Sequence, residues 1–358
     1  MHHAVQQQLR FADVGALRLP APVRYEWLAV VDHFRSGDDT PVWFLASRRR
    51  SDLVLFDPAA KRALHEYRWA FAPEALLGGA RPRAVTWYEI RRPGWMAGEG
   101  WALTPETRGV AQRARRSPAA GATIAYVARR AEPAVLMIGG RNLGGPCHTA
   151  ARLEMTLDGT KIAEWQLPAG VPFLEFVDLP AGVLDGPRGF AELRLVASDL
   201  SDAGLGVDVS LEQFDLQSGG RPLAGFATGW HEPELEPATG ERWRWAGQRA
   251  MLQIRNFGRD VVLAVKADDP LHSLGRSVEL QVRSAGQVLG RQRFDRAVDW
   301  HVQIPKEIIA QSRGRITLMS DASFVPDRKD GNGDQRELAL RVFEVDVEFD
   351  AKAVNGGS

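Results

Sequence analysis

Three tryptophans stand in glycine-rich turns, where their indole rings could reach solvent and stack on sugar rings. Trp95 and Trp101 bracket the segment WMAGEGW, and Trp230 lies in GWHEP. Indole faces attract the C–H faces of sugars by dispersion and CH–π contact, which makes exposed tryptophan typical of carbohydrate sites. A tryptophan beside glycine can equally fill a domain interface, so the pattern leaves both interpretations open.

Polar side chains next to these tryptophans could hydrogen-bond sugar hydroxyls. Glu99 lies between the first two tryptophans, Glu232 follows the third, and Arg244 lies in the segment RWRW. Planar side chains with paired donors or acceptors match vicinal hydroxyls. The predicted glycan site consists of Trp230, Trp101, Trp95, Glu232, Glu99 and Arg244.

Loop carboxylates keep an enzymatic alternative open. A glycoside-active hydrolase or lyase needs two carboxylates on opposite sides of the scissile bond. The candidate acids are Glu99, Glu106, Glu232, Glu234 and Glu236. The last three alternate with prolines, which is simply typical of an extended, solvated edge. The sequence therefore favours a chain with no catalytic residue of its own.

The loop of residues 327–337 resembles a calcium loop in part. Asp330, Asn332 and Asp334 alternate as oxygen ligands do, but later positions of the EF-hand pattern carry the wrong residues. We expect a structural connection in which Asp334 and Arg336 tie the loop to the final strand. A metal site at the three alternating residues is the alternative.

No other cofactor chemistry is indicated. The single Cys147 excludes an internal disulfide and a cysteine cluster for zinc. The sequence contains no HxH or HExxH pattern, and no glycine-rich phosphate loop in a strand-to-helix context. We predict no cofactor.

Composition is that of an ordinary globular protein with balanced charge. The chain has 358 residues, of which 44% are hydrophobic, and its 45 lysines and arginines equal its 45 aspartates and glutamates. This balance argues against a nucleic-acid partner. The apolar runs are too short to span a bilayer, and no signal peptide is visible. We therefore expect a cytoplasmic protein if the chain is complete.

The elements that would position these residues are mostly strands, and they repeat. Segments in the second half match segments in the middle at an offset of about 125 residues, with a side-chain period of two and frequent turns. The matched segments are residues 153–157 with 278–282, 173–176 with 300–303, and 193–196 with 316–319. Two copies of such a pattern predict a mainly β chain with two tandem antiparallel, jelly-roll-like β-sandwiches.

The first hundred residues follow a different pattern. Apolar spacing over residues 27–34 predicts a helix, and the runs 41–46 and 84–90 predict strands, the first of them buried. An N-cap at Asp57 and helical spacing over 60–67 predict a second helix. The predicted domains are a small α/β region (1–110), a first sandwich (123–216) and a second sandwich (225–350).

Four segments together resemble a known family: residues 93–106, 229–234, 242–245, and 323–326 with 334–338. They are similar to the extracytoplasmic C-terminal β-sandwich region of polytopic bacterial membrane glycosyltransferase-like proteins. In that family a membrane domain carries the catalytic aspartates, and the sandwiches look like carbohydrate-binding modules. The resemblance implies a periplasmic or extracytoplasmic region at the inner membrane, with a glycan or lipid-linked saccharide and a membrane domain or membrane protein as partners.

The sequence thus favours a non-catalytic accessory region for carbohydrate recognition or assembly at the bacterial cell envelope. A glycoside-active hydrolase or lyase is one alternative, and a purely structural interaction module is the other. A deep cleft with two carboxylates would favour the former, and an exposed apolar patch without an aromatic groove would favour the latter.

Overall fold

A computed structural model describes residues 26–47, 56–69, 83–101, 122–143, 150–187, 189–200, 209–236, 241–269 and 276–351. Within these ranges the chain is mainly β with several antiparallel sheets, which confirms the predicted fold class. No helix in the described ranges has the length and apolar character that a membrane crossing requires.

Strands in the first part of the chain are β1 Val42–Ser47, β2 Lys61–Trp69, β3 Arg83–Ile90, β4 Trp95–Ala97, β5 Thr123–Ala128, β6 Ala134–Asn142, β7 Ala151–Leu157, β8 Thr160–Leu167, β9 Pro172–Leu179, β10 Phe190–Asp199 and β11 Val209–Gln217. The later strands are β12 Leu223–Phe226, β13 Trp230–Leu235, β14 Arg242–Ala246, β15 Arg249–Arg255, β16 Val261–Asp268, β17 Val278–Ser284, β18 Gln287–Phe294, β19 Ala297–Ile304, β20 Arg315–Ser320 and β21 Leu340–Phe349. The helices are α1 Glu26–Arg35, α2 Lys306–Ser312 and α3 Pro326–Asp330.

The chain divides into two compact units. Unit 1 comprises Met1–Pro133, Asn142–Gly170 and Pro180–Glu212, and unit 2 comprises Ala134–Arg141, Val171–Leu179 and Gln213–Ser358. The strands of the predicted first sandwich are therefore shared between the units. The division departs from the predicted domains, whose boundaries stay a prediction.

Unit 1 contains two sheets, with strand orders β1-β3-β2 and β4-β5-β10-β7-β8. The alternating burial along β7 shows why its sequence forms a strand. Ala151, Leu153, Met155 and Leu157 are buried, and the residues between them are partly exposed. One face of the five-stranded sheet is therefore core, and the other is free to carry polar side chains.

Unit 2 is built around a sandwich of two five-stranded sheets, ordered β12-β15-β20-β17-β18 and β13-β14-β21-β16-β19. Its core draws side chains from both, such as Leu252 and Leu318 from the first sheet and Leu263 and Val347 from the second. The last strand, β21, contains a bulge at Phe343, because Lys266 pairs with Glu344 whereas Ala267 pairs with Val342. The apolar residues of this strand change from even to odd positions at the same place, from 340 and 342 to 345, 347 and 349.

The sheet β4-β5-β10-β7-β8 and the sheet β12-β15-β20-β17-β18 have the same topology. In each, the first, second, fifth, third and fourth strands along the chain lie side by side in that order. The three pairs of matched segments fall in corresponding strands, β7 with β17, β9 with β19, and β10 with β20. Positive φ angles at Asp158-Gly159 and Ala285-Gly286 mark the turns that close the β7–β8 and β17–β18 hairpins. These turns align Thr156 with Arg283, two residues away from the match made on sequence alone.

The N-terminal layer differs from expectation at its second helix. Asp57 does act as a cap, accepting a hydrogen bond from the Ala59 amide, but the helix ends after one 3-10 turn at Ala60. Residues Lys61–Trp69 then form β2, which pairs with β3 and leaves Leu64 and Tyr67 exposed. The prediction of a helix over residues 60–67 is wrong, because pairing with β3 outweighs a helical spacing of few apolar residues. The predicted helix at 27–34 is present as α1.

Candidate functional site

The three loop tryptophans are buried. Trp95 is 2% exposed, Trp101 is 4% exposed and Trp230 is 5% exposed, so none presents a ring face to a ligand. The expectation that they project from glycine-rich turns is therefore wrong. The alternative, that such a tryptophan fills a domain interface, stays untested, since burial alone does not show where the covering residues come from.

Each ring is fixed by specific contacts. Trp95 lies in β4 and pairs with Val127 in β5. The indole nitrogen of Trp101 donates to the carbonyl of Ile124 at 2.7 Å, and that of Trp230 donates to the carbonyl of Met251 at 2.9 Å. Gly229 explains the inward direction beside it, because a Cβ there would stand 1.9 Å from the carbonyl oxygen of Arg249. The glycine permits close backbone approach instead of a projecting ring.

Glu99 is exposed in a turn of unit 1 and belongs to a small polar cluster. The hydroxyl of Tyr126 donates to its carboxylate at 3.3 Å, and the guanidinium of Arg35 lies 4.1 Å from the centre of the Tyr126 ring. Burial, followed by the negative charge of Glu99, raises the pKa of Tyr126 to about 12. Glu99 is therefore engaged with the protein itself.

Glu232 and Arg244 are likewise engaged, within unit 2. Arg141 donates to the Glu232 carboxylate at 2.8 Å. Arg244 is buried, donates to the carbonyl of His231 at 3.0 Å, and lies 4.9 Å from the Phe226 ring centre. The structure places Trp230, Glu232 and Arg244 in unit 2 and the other three predicted residues in unit 1. The six predicted residues are therefore divided between the two units, and the three tryptophans and Arg244 among them are buried.

The carboxylates of the enzymatic alternative are also held by partners. Glu234 accepts from Arg336 at 2.8 Å and from the indole nitrogen of Trp245 at 3.2 Å. Glu106 lies outside the described residues. Asp334 binds the same guanidinium as Glu234, so a cation lies between these two carboxylates instead of an open site for a glycosidic bond.

The loop of residues 327–337 is held by internal hydrogen bonds. Arg336 forks onto Asp334, with nitrogen–oxygen distances of 2.9 and 2.7 Å, and Asp327 accepts from the amide of Gly333 at 2.7 Å. The hydrogen bond from Arg336 lowers the pKa of Asp334. No group of three His, Cys, Asp or Glu side chains that could hold a metal ion is found in the described parts of the chain.

Calcium is expected to leave the stability of the protein unchanged. A bound ion would raise the melting temperature by mass action, whereas Asp334 already has a guanidinium as its partner. Thermal unfolding in millimolar calcium and in EDTA should give the same midpoint. A shift of several degrees between the two would mean that the loop holds a metal.

A different set of aromatic side chains is exposed, on the sheet β1-β3-β2 of unit 1. Trp43 is 62% exposed and Tyr67 is 46% exposed, and His65, two residues before Tyr67 on β2, is exposed as well. The rings of Trp43 and Trp87 lie 6.1 Å apart at 72°, and those of His65 and Tyr67 lie 4.4 Å apart at 71°. We call Trp43, Trp87, His65 and Tyr67 the aromatic face.

Strand register explains why these rings share one side of the sheet. Trp43 pairs with Glu89, which pairs with Arg62, and Trp87 pairs with His65 in the next row on that side. A bulge between Ala63 and His65 in β2 adds one residue, which places Arg62 and His65 on the same side although they are three positions apart. The bulge therefore assembles the aromatic face beside a charged row.

The charged row beside Trp43 is a carboxylate between two guanidiniums. Glu89 accepts from Arg91 at 2.5 Å and from Arg62 at 3.2 Å. The hydrogen bond from Arg91 lowers the pKa of Glu89, and the charge of Arg62 adds to the effect. Both arginines are largely exposed, with 63% and 62% of their side-chain surface accessible. Their remaining N–H groups face solvent next to the indole of Trp43.

Sequence reasoning missed Trp43 because it read residues 41–46 as a buried strand. The run VWFLA is almost wholly apolar, and only its edge position in the order β1-β3-β2 leaves Trp43 exposed. Trp87 is half-buried on the same face. A period of two through Trp43 was the available signal, but a short apolar run does not tell which side is wet.

Comparison with known proteins gives distant structural similarity only. No protein-family model matches the sequence, and no curated protein matches it. The chain is similar to the tandem CBM22 modules at the N-terminus of Xyn10C from Paenibacillus barcinonensis, with 9% identity and a TM-score of 0.23 over 86% of this chain and 97% of that one.

Two glycoside hydrolases are similar over part of their length. A β-galacturonidase from Eisenbergiella tayi has 13% identity and a TM-score of 0.20, over 53% of this chain and 30% of that one. A β-glucuronidase from Ruminococcus gnavus has 10% identity and a TM-score of 0.19, over 79% and 44%. At such identities and TM-scores these similarities carry no argument about ligand or activity.

Proposed function

We propose that this chain is a non-catalytic carbohydrate-binding region, and that the aromatic face of unit 1 contacts the sugar. The observation that carries the proposal is the exposed indole of Trp43 beside a row of arginine and glutamate side chains. A sugar ring presents an apolar C–H face and a rim of hydroxyls. The indole suits the first, and the exposed N–H groups of Arg62 and Arg91 suit the second.

Binding without hydrolysis follows from the charges on this face. Glycoside hydrolysis needs an acid and a second carboxylate. Among the described residues of the aromatic face and its charged row, Glu89 is the one carboxylate, and two guanidiniums hold it ionised. It therefore serves as an anchor for the arginines rather than as a proton donor.

Trp43→Ala is expected to weaken glycan binding about tenfold or more, because it removes the stacking surface and its dispersion contacts. Wild-type affinity should be micromolar to millimolar, as expected for a shallow site with few anchors. Glycan-array screening followed by calorimetry on the best ligand measures both. The melting temperature should hardly change, since Trp43 is mostly solvated.

Val196→Ala is the matched control, because Val196 is also exposed, at 42%, but lies in β10, outside the aromatic face. It should leave the affinity unchanged. Equal affinity of wild type and Trp43→Ala for the same glycan would show that the sugar does not bind here. If the chain binds a second protein tightly, if this binding requires Trp43, and if no glycan binds, the structural interaction module is favoured instead.

We further propose, from the sequence resemblance, that the region works at the extracytoplasmic side of the bacterial inner membrane as the soluble part of a membrane glycosyltransferase-like protein. Lipid-linked saccharides are then the natural ligands, and a membrane domain the natural partner. A reporter fused to the native gene product and active only outside the cytoplasm tests the location. Activity of a cytoplasm-specific reporter at the same fusion point would refute it.

A further inference from the structure

An open cleft of about 670 Å³ lies on the outer face of the sheet β12-β15-β20-β17-β18 in unit 2. Strand register places its floor across three neighbouring strands, since Met251 pairs with Thr317, which pairs with Arg283. The β17–β18 turn and the end of α2 form its walls. We call the group Arg249, Arg283, Arg315, Met251, Thr317 and Met319 the arginine cleft.

The cleft is positively charged. Neither Arg249 nor Arg283 has a hydrogen-bond or ion-pair partner in the described part of the chain, and Arg315 donates one N–H to the carbonyl of Ser312 at 3.1 Å. No acidic side chain is among the described residues that line the cleft. Glu279, the acid on this side of β17, lies toward the other end of the strand, where it accepts from Gln281 at 2.7 Å. The guanidiniums are left without compensating charge.

The corresponding sheet of unit 1 shows how such a face is normally balanced. Thr156 stands where unit 2 has Arg283, and Glu192 stands where it has Arg315, by the turn and segment matches given above. There Arg194 pairs with Glu192 at 2.7 Å, and Lys161 lies 3.3 Å from the carboxylate of Glu154. The outer face of the unit 1 sheet therefore has paired charges, whereas the same face in unit 2 has arginines at the cleft without acidic partners among the described residues. Because the two sheets have the same strand order, the fold alone does not require these arginines.

We propose that the arginine cleft binds an acidic saccharide, a second ligand class at a site separate from the aromatic face. Guanidinium forks pair with carboxylate, sulfate or phosphate oxygens in bidentate fashion. The half-buried Met251, Thr317 and Met319 lie between the forks and offer an apolar floor to the sugar rings. No aromatic ring lines the cleft among the described residues, so the stacking surface that a single-stranded nucleic acid would use is missing.

The spacing of the cations suits a chain of sugars better than a single small anion. Strands lie about 5 Å apart and alternate residues about 7 Å apart. Arg283 and Arg315 are one strand and two residues apart, whereas Arg249 lies at the opposite end of the cleft, two strands from Arg283. The three guanidiniums therefore contact separate acidic groups of an extended ligand.

Calorimetry with a galacturonate oligosaccharide, its methyl ester, a heparin-type sulfated oligosaccharide and an oligo-dT of similar length tests the proposal. Arg249→Gln and Arg283→Gln should each weaken binding of the acidic saccharide about tenfold, the loss expected for one charge-assisted contact. The methyl ester should bind at least tenfold more weakly than the free acid, and added salt should weaken binding of the acid. The preferred saccharide distinguishes a carboxylate from a sulfate source.

Arg194→Gln is the matched control, because Arg194 lies on the corresponding face of unit 1 and is paired with Glu192. It should leave the affinity unchanged, as should Trp43→Ala, which separates this site from the aromatic face. Equal binding of acid and methyl ester, equal binding of oligo-dT with the same arginine dependence, or no binding of any acidic saccharide would each overturn the proposal. A melting temperature within error of wild type shows that a lost affinity is not lost folding.

Discussion

Trp230→Ala is expected to lower the free energy of unfolding by about 3–5 kcal/mol, the range for removing a large buried aromatic side chain. The ring belongs to the core of the unit 2 sandwich, packs edge-on against Phe226 at 4.8 Å, and donates to the carbonyl of Met251. The substitution leaves a cavity and removes one of the two hydrogen bonds to the Met251 carbonyl, which still accepts from the Ala227 amide at 2.9 Å. Chemical denaturation followed by tryptophan fluorescence and circular dichroism measures the loss.

Trp230→Phe separates the two contributions. It keeps most of the apolar volume and removes the indole N–H, so it should cost about 0.5–1.5 kcal/mol, the range for losing one hydrogen bond to an acceptor that keeps another donor. Unfolding of Trp230→Ala at the wild-type denaturant midpoint would contradict the buried position. The same reasoning applies to Trp101, so loss of glycan binding in either alanine variant would report unfolding and not a missing sugar contact.

Gly314→Ala is expected to destabilise unit 2 through a close backbone approach at the end of α2. Gly314 has φ of 82°, its amide donates to the carbonyl of Ile309 at 2.7 Å, and its carbonyl accepts from Ile254 at 2.8 Å. A Cβ here would stand 2.1 Å from the carbonyl oxygen of Ile254. A positive φ costs alanine about 1–2 kcal/mol, and the clash adds an overpacking cost of about 1–3 kcal/mol.

Gly258→Ala shows the first of these costs, that of the positive φ, by itself. Gly258 also has positive φ, at 75°, but no atom lies within 4 Å of a Cβ built there. It should lose only the conformational part, so the difference between the two variants measures the steric part. Equal unfolding free energies for the two variants would mean that α2 can move away from β15, and that the wall it forms in the arginine cleft is soft.

Most of the strands can be predicted from the sequence, because their apolar residues recur with a period of two. In β7 and β17 a side chain faces the core at every second position, and this alternation is visible without a structure because burial is periodic along each strand. The bulge at Phe343 was visible for the same reason, as a break in that period. Helix α1 was predictable because four apolar residues repeat at helical spacing.

Pairing between distant strands could not be predicted in the same way. Residues 61–69 have apolar positions that fit either period, and contact with β3 decides in favour of a strand. The structural alignment of β17 with β7 differs by two residues from the alignment of their sequences. This difference is set by the turn at Ala285 and by the register of β17 with β20, which composition does not reveal.

The candidate sites could not be predicted, because they depend on which side chains are exposed, and the adjacent residues in the sequence do not determine this. Glycine beside Trp230 was read as a sign of projection, yet Gly229 allows the Arg249 backbone to come close and the ring to turn inward. Trp43 was read as buried because of its apolar neighbours, yet its strand is at an edge. The arginine cleft gathers Arg249, Arg283 and Arg315 from three strands and has no sequence signature at all.

The common strand order of the two five-stranded sheets bears on how the chain reaches its native state. Each of β7 and β10 has a counterpart with the same neighbours, so a strand from one copy could add to the unfinished sheet of the other during refolding. Such exchange is the typical failure of repeated β architectures. The charges now found on the two outer faces oppose it, since the unpaired guanidinium of Arg283 would replace neutral Thr156 next to Lys161. The difference in charge between the two outer faces thus protects the fold.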